Sequence, residues 1–334
     1  MHSAFSLRGA PGLFTAIVIS VFLAACGGGG DDAVDIEDTK QQMPTTVNFN
    51  IGTKDSARLT FSVDGVSIAY PLLRYSGTWN RTAQAWTLRG STGVDSGPML
   101  FGAFSVQVIE ALNWAGDRAP SSGKMEFVTP AGNSFFPGQT VQATIDSNPQ
   151  PILLTFGTTT IRYDWDSYLL VWPDDTQPDQ WRLASFGGTA SALAAESGRM
   201  VLELMAFINA NDLRIATAGA AGLDTACSPR PGAATGTRKI ALANPDGELN
   251  PGDGLIVTYS NCWIDDPADN IDLLFNGSIT LTGYIENRSP FATGFDQITF
   301  NSLTENETET AGQVVTVVQP PVVTTGTMTL FVTP

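Results

Sequence analysis

The sequence predicts a mainly β protein, and three observations carry that prediction. Short segments alternate apolar and polar residues and are rich in Val, Ile, Thr and Phe, which is typical of half-buried strands. The chain contains 33 Gly and 20 Pro residues, which suit turns between many short strands. Asp-Gly and Asn-Gly pairs separate the segments as in β-hairpins. We therefore expect antiparallel sheets arranged as a sandwich or an incomplete barrel, with a minor helical component.

Eight segments show the alternating pattern most clearly. They are RLTFSV (58–63), GKMEFV (123–128), VQATI (141–145), LIVTY (255–259), SITLTGYI (278–285), QITFNSL (297–303), VVTVV (314–318) and TMTLFV (327–332). Turns are predicted at Asp64-Gly65, Asp246-Gly247 and Asn276-Gly277. The last segment is predicted to be a final strand that closes the sheet, after a bend or edge at 319–323.

Two apolar segments, 99–116 and 190–210, are compatible with either a strand or a helix. The two segments match each other through Ser-Gly-x-Met, at 96–99 and at 197–200, and this opening starts strands elsewhere in the chain, so a strand is favoured over a helix. The helical alternative stays open for both.

The chain contains signs of an internal repeat. FFPGQTVQATIDSN (135–148) aligns with LNPGDGLIVTYSNC (249–262), with Pro-Gly followed by alternating apolar residues in both. Weaker matches flank this pair, and their offsets rise steadily, as they would if the second copy had longer loops. This pattern predicts two related β units, 47–165 and 166–334. Chance similarity between β-rich segments is the alternative.

The first 25 residues have the organisation of an export signal. Arg8 supplies positive charge, and the apolar run at 13–25 is shorter than the about 20 residues that span a bilayer. The run ends in Leu23-Ala24-Ala25-Cys26, which resembles the lipobox of bacterial lipoproteins. That resemblance implies that 1–25 is a removed signal peptide and that Cys26 becomes an acylated N-terminus. An ordinary signal peptide with a chance cysteine at the cut is the alternative.

The resemblance also implies a cellular location and a binding partner. Residues 26–46, with four glycines and an acidic stretch, are predicted to be a flexible linker. In Gram-negative lipoproteins an Asp directly after the cysteine favours inner-membrane retention. Gly27 at that position implies an outer-membrane anchor in the lipid bilayer, with the periplasmic or surface face left open. In its Asp-Gly, Pro-Gly-Asp and Asn-Cys elements the second unit resembles uncharacterised proteobacterial lipoproteins, which implies no known activity.

Charge and histidine content narrow the classes of function. The net charge of −16 repels nucleic acid, so a nucleic-acid partner is excluded. The single histidine is His2, within the predicted signal peptide, which removes Ser-His-Asp and Cys-His catalysis and most zinc sites. A binding or structural envelope component is therefore favoured, with a protein or glycan partner unidentified. The alternative is a carboxylate-based enzyme that acts on envelope or extracellular glycans.

Cys227 and Cys262 are the two cysteines that follow Cys26. An even pair in an exported protein predicts a disulfide. Closing this loop would contribute roughly 4 kcal/mol in the chain-entropy account. Two buried free thiols are the alternative.

The segment 163–181 concentrates aromatic rings and carboxylates. Aromatic faces with neighbouring acids suit a glycan or peptide surface, and the candidate residues are Tyr163, Trp165, Trp172 and Trp181. Asp164 and Asp166 lie one strand step apart on one face and form the candidate catalytic pair. A β core with an exposed acidic loop is the favoured alternative, so no catalytic residue is assigned.

The segment 244–253 resembles the spacing of calcium loops, with oxygen ligands around Gly247. The candidate ligands are Asn244, Asp246, Glu248, Asn250 and Asp253. The usual first Asp is missing, so a polar hairpin turn is favoured and no metal or cofactor is assigned.

Overall fold

The computed structural model describes fifteen stretches of the chain, which cover most of the sequence after residue 42. They are 43–54, 57–63, 66–83, 85–95, 102–115, 120–134, 137–163, 201–202, 204–227, 235–243, 248–266, 271–288, 290–311, 314–317 and 321–334. Within these ranges the protein is mainly β, as the sequence predicts, with one α-helix and one 3-10 turn.

The strands are numbered in chain order. They are β1 Thr46–Gly52, β2 Leu59–Val63, β3 Val66–Tyr70, β4 Arg74–Asn80, β5 Ala85–Asp95, β6 Ala103–Ala115, β7 Ser122–Val128, β8 Thr140–Ile145, β9 Ile152–Phe156, β10 Thr159–Tyr163, β11 Leu223–Ala226, β12 Thr237–Leu242, β13 Leu255–Asp266, β14 Ile271–Arg288, β15 Phe291–Ala311, β16 Val314–Val317 and β17 Val322–Thr333. The described part of helix α1 covers 201–202 and 204–218, and the 3-10 turn Gly219–Ala221 follows it.

The strands form one antiparallel sheet with a simple path. From β4 to β10, and again from β11 to β15, each strand pairs with the next one along the chain. The final strand β17 pairs with β15 on one side and with β1 and β2 on the other. The first and last strands therefore lie in the middle of the sheet, as expected for a strand that closes it.

The sheet has two ends, which we name by the residues that mark them. At the Thr46 end, β1 begins and the turn between β4 and β5 pairs Asn80 with Ala85. At the Val63 end, β2 and β3 join where Val63 pairs with Val66. Val322 of β17 pairs with both Glu305 of β15 and Val63 of β2, so Glu305 lies level with Val63. Strand β15 continues past Glu305 to Ala311. The long strands therefore project past the central ones at the Val63 end.

One face of the sheet is apolar and buried. Burial alternates along the strands; in β7, for example, Met125 and Phe127 are buried, whereas Lys124 and Glu126 are half-buried. The buried side chains of the strands and of α1 form one contiguous core. Since only one face is apolar, the sheet must curve or fold over to enclose that face, which fits a sandwich or an incomplete barrel.

A line of irregular positions, which we call the crease, crosses the sheet from β13 to β7. Bulges interrupt the pairing of β13 with β14, of β14 with β15 and of β15 with β17. On the other side of β17, the sheet is interrupted between the end of β1 and the start of β2, and again between β3 and β4. These two breaks lie opposite one another. Bulges in the pairing of β6 with β5 and with β7 continue the line. Because bulges bend strands and increase their twist, the crease is where the sheet curves.

Thr53 bridges the two central breaks of the crease. Its backbone N–H donates to the Leu73 carbonyl at 3.0 Å. Its hydroxyl accepts from the Leu73 N–H at 3.1 Å and donates to the Pro71 carbonyl at 3.3 Å. These hydrogen bonds replace the regular ladder, so the backbone polar groups at the break stay paired.

Glycine is required where the crease brings two backbones close together. Gly90 has φ +129°, and a Cβ there would lie 2.0 Å from the Arg74 carbonyl oxygen. Gly326 has φ +107°, and a Cβ there would lie 2.0 Å from the Arg58 carbonyl oxygen. An L side chain at either position would meet both steric overlap and an unfavourable backbone angle.

Helix α1 belongs to the core in its first part and reaches the surface in its second. Every described residue from Val201 to Ile208 is buried, which is typical of a helix enclosed on all sides. Farther along, Ile215 is buried whereas Leu213 is exposed. The α-helix gives way to the 3-10 turn at Gly219, whose φ is +56°, a common way for a helix to end.

All eight predicted strand segments overlap strands of the structure. The two segments that the sequence left open between strand and helix have different structures. Residues 103–115 form strand β6, whereas the described part of 190–210 is helical. The favoured strand interpretation is therefore right for the first segment and wrong for the described part of the second, whose residues are buried on nearly every side of the helix.

One predicted turn is wrong. Asn276 and Gly277 lie inside β14, where Gly277 has φ +114° at a bulge. The prediction at Asp64-Gly65 agrees with the pairing of Val63 with Val66, which leaves a two-residue connection. Asp246-Gly247 falls outside the described residues, between β12 and β13.

The division into units 47–165 and 166–334 stays a prediction. The alternating apolar positions of the aligned segments, such as Val141 and Leu255, are buried in both. The two halves share one core, and β17 joins the second half to β1 and β2.

Within the described stretches, no helix has both the length and the apolar character that crossing a bilayer requires.

Replacing Gly90 with Ala tests the crease. The added Cβ would overlap the Arg74 carbonyl and hold a left-handed φ, so we expect the free energy of unfolding to fall by about 2 to 5 kcal/mol. Urea unfolding followed by tryptophan fluorescence measures this. Gly132→Ala is the matched control, because nothing lies within 4 Å of the place that its added Cβ would take, and it should change stability by less than about 0.5 kcal/mol. Equal stability of the two variants would contradict the assignment.

Candidate functional site

A positively charged side chain lies on the core side of the sheet, close to the Val63 end. Arg238 belongs to β12 and follows the same alternation as the buried residues Ile240 and Leu242. Its backbone neighbours in the sheet are Thr225 of β11 and Tyr259 of β13. We call Arg238, Thr225, Tyr259 and Phe207 of helix α1 the arginine site.

The guanidinium of Arg238 is held from three sides. Its Nε–H donates to Thr225 Oγ1 at 3.2 Å, and that hydroxyl donates to the Arg238 carbonyl at 2.9 Å. The Arg238 side chain also forms a hydrogen bond with the Tyr259 side chain. Its Cζ lies 4.2 Å from the centre of the Phe207 ring, a cation–π contact. The contact with Phe207 fastens α1 to β12.

Burial dominates the electrostatics of the arginine site. Desolvation lowers the pKa of Arg238, and the nearby Tyr259 opposes that effect. Arg238 nevertheless keeps part of its surface exposed. Among the residues that the structure describes, no Asp or Glu forms a salt bridge with Arg238. The arginine site therefore holds a positive charge that is partly desolvated.

The arginine site was not predicted from the sequence. The signal was present in TRKIAL (237–242), where Arg238 is in phase with the apolar residues Ile240 and Leu242. An arginine at an inward position of a strand is unusual and calls for a partner.

The predicted disulfide agrees with the structure, in which Cys227 and Cys262 are bonded with their Cα atoms 5.2 Å apart. Cys227 follows β11 directly, and its N–H donates to the Gly236 carbonyl at 3.0 Å. The bond thus links β11 to β13 across the start of β12. A Cβ on Gly236 would lie 1.7 Å from the Asn261 carbonyl oxygen, so glycine is needed where these strands converge.

The bulge beside the disulfide is held by a side chain. Asn261 has φ +46°, and its backbone N–H donates to Asn276 Oδ1 at 2.8 Å. The arginine site therefore adjoins a region that is fixed by both a covalent bond and a bulge.

Of the predicted aromatic surface, Tyr163 alone falls within the described residues. It ends β10, is half-buried and packs against the core, and burial raises its pKa. Trp165, Trp172 and Trp181, together with Asp164 and Asp166, lie outside the described residues. The glycan or peptide surface and the carboxylate pair therefore stay predictions.

An ion pair supports the strand that leads into this segment. Arg162 of β10 donates to both carboxylate oxygens of Asp146, with Nη1–Oδ1 3.1 Å and Nη2–Oδ2 2.8 Å, and also to the Gln150 carbonyl at 3.1 Å. The hydrogen bond from Arg162, followed by that from the Asn148 N–H, lowers the pKa of Asp146. Both side chains remain partly exposed.

The predicted calcium ligands divide between described and undescribed residues. Asn244 and Asp246 lie outside the described residues. Asp253 accepts from the Asn250 N–H at 2.7 Å through Oδ2, and the Asn250 side chain lies 3.4 Å from Glu248 Oε2. No group of three metal-ligating side chains occurs in the described stretches. The calcium loop stays a prediction, as does lipidation at Cys26, which also lies outside them.

No protein-family model matches the sequence, and comparisons with curated proteins and with solved structures found no significant match.

Replacing Asp146 with Asn should give a pH-dependent loss of stability. The folded-state pKa of Asp146 is lowered, so its carboxylate stabilises the fold above the unfolded pKa of about 3.9. That contribution is lost as the pH falls through the folded-state pKa. We expect wild type to be more stable than D146N at pH 7 and the gap to close in acid.

Urea unfolding at several pH values between 7 and 3 measures that gap. Asp296→Asn is the matched control, because Asp296 forms an ion pair with exposed Lys54, and exposed pairs contribute little. A gap between wild type and D146N that is constant over the whole pH range would contradict the prediction.

Proposed function

We propose that this protein is an exported, lipid-anchored component of the bacterial cell envelope that acts by binding or as a structural part. The proposal starts from Leu23-Ala24-Ala25-Cys26, which resembles a lipobox. The observation on the folded body that supports it best is the disulfide between Cys227 and Cys262. Disulfides persist in oxidising compartments and are rare in the cytosol, so the bond favours an exported body.

The distance from the lipidated cysteine to the folded body suits a tether. Met43 is buried, and β1 begins at Thr46. The chain between Cys26 and Met43 can reach at most about 60 Å when fully extended. The body would thus stand near the membrane, with the Thr46 end attached to the tether and the Val63 end on the opposite side.

This orientation leaves the Val63 end for contact with partners. The projecting parts of β14 and β15, the disulfide and the arginine site all lie toward that end. Gly27 after the cysteine favours an outer-membrane location, and either face of that membrane fits the tether.

A catalytic role is the alternative interpretation of the sequence. It depends on Asp164 and Asp166, for which no contact is described, and no other observation favours an enzyme. Binding or structural work is therefore the function that we propose.

Replacing Cys26 with Ser tests the anchor. Without a thiol at the lipobox cysteine, the chain should fail to incorporate radiolabelled palmitate. The double variant C227S/C262S is the matched control, because it removes the other thiols and should keep the label. Full palmitate incorporation in C26S would overturn the proposal.

A further inference from the structure

We propose that the outer face of the sheet binds an acidic polysaccharide, a glycan that carries carboxylates on some of its sugars. The proposal deepens the binding role proposed above and rests on it, but it does not depend on the lipid anchor. It is carried by five exposed residues that we call the outer patch: Asn50, Arg74, Ser76, Arg89 and Phe331.

Four members of the outer patch form one row across the middle of the sheet. Phe331 of β17 pairs with Asn50 of β1. Asn50 pairs with Ser76 of β4, and Ser76 pairs with Arg89 of β5. The row is about 14 Å long at the usual spacing of strands. Each member directly follows a buried residue of its strand, so the row lies on the face opposite the core.

Two arginines concentrate positive charge at one end of the row. Arg74 lies two residues before Ser76, the strand partner of Arg89. The two arginines are therefore diagonal neighbours on one face, with Cβ atoms about 7 to 8 Å apart, and both are exposed. Asp296, an acid of β15, is already paired with Lys54 at 3.1 Å. Since like charges repel one another, an anion that contacts both arginines would be favoured.

An aromatic ring lies at the other end of the row. Phe331 is 36% exposed, and its Cδ2 lies 3.1 Å from the place that a Cβ on Gly294 would take. The ring therefore lies against the glycine of the neighbouring strand and keeps part of its surface in water. Such a ring can cover the apolar C–H face of a sugar, while Asn50 and Ser76 can exchange hydrogen bonds with sugar hydroxyls.

The shape of this face favours a polymer over a small molecule. Small ligands bind in concave pockets, whereas the outer patch lies on the convex side of a sheet that curves around its core. An extended chain can lie across the row and contact the ring and the arginines at the same time.

The charge of the outer patch favours an acidic glycan over a nucleic acid. Two arginines neutralise two charges, which suits a polysaccharide with occasional carboxylates, and each planar guanidinium matches two carboxylate oxygens. A nucleic acid strand carries a phosphate about every 3.4 Å. The net charge of −16 would repel the phosphates that the two arginines do not reach.

Isothermal titration calorimetry of the full mature protein in detergent tests the proposal. The probes are polygalacturonate, neutral dextran and a single-stranded DNA oligonucleotide. We expect wild type to bind polygalacturonate more tightly than the other two. R74Q/R89Q should lose about tenfold in affinity, and R74K/R89K should recover only part of it, because lysine keeps the charge but lacks the planar fork. F331A should bind about threefold more weakly or worse.

Two changes on helix α1 are the matched controls. R214Q removes an exposed arginine and L213A an exposed apolar side chain, and both should bind polygalacturonate like wild type. Thermal unfolding checks that each variant is folded, and if R74Q/R89Q is not, the single variants R74Q and R89Q decide the outcome.

The proposal is overturned if wild type does not bind polygalacturonate, or if R74Q/R89Q and its single variants bind it as tightly as wild type. Equal binding of dextran would overturn the acidic assignment, and tighter binding of the oligonucleotide would overturn the glycan assignment. Palmitate labelling at Cys26 is independent of all these results. A failure here with normal labelling would reject the outer patch alone, whereas lost labelling with intact binding would reject the anchor alone.

Discussion

Burial of a single sheet face is the constraint on which the rest of this structure depends. The strands bury alternate residues, and those residues form one core with helix α1. A flat sheet of this kind would leave its apolar face in water. The crease resolves this by placing bulges and breaks along one line, where Gly90 and Gly326 let neighbouring backbones approach closely. Thr53 keeps the backbone paired where the central strands are interrupted.

The way in which β17 closes the sheet also determines where the ends of the described chain lie. Since β17 pairs with both β15 and β1, β1 is central in the sheet rather than at an edge. A pull on Thr46 would act along β1 against two antiparallel neighbours, β17 and β4, so many hydrogen bonds would share the load. The outermost described strands, β10 and β11, have their own supports: the ion pair of Arg162 with Asp146 and the disulfide at Cys227.

Local signals predict the strands well and the deviations from regular strands poorly. Alternation identifies segments such as 123–128 because one face of each is buried. The Asn276-Gly277 pair predicts a turn, but the same residue types also occur in bulges. Only the pairing of β14 with its neighbouring strands shows that this pair lies at a bulge and not in a turn. Local pattern does not separate the first part of α1 from a strand, because its described residues from Val201 to Ile208 are buried on all sides and show no periodicity. Arg238 could have been found from its phase in β12, but the contact with Phe207 depends on packing that no local pattern contains.

Hydrogen exchange measured by mass spectrometry tests the central claim that one sheet joins both halves of the chain. If β17 closes a single cooperative sheet, backbone amides of β1, β13 and β17 should exchange only through the same global opening, with equal protection free energies. Rising urea should then lower all three together. If instead β13 exchanged through its own opening while β1 stayed protected, the halves would unfold separately, and the account of a single sheet closed at its centre would be contradicted.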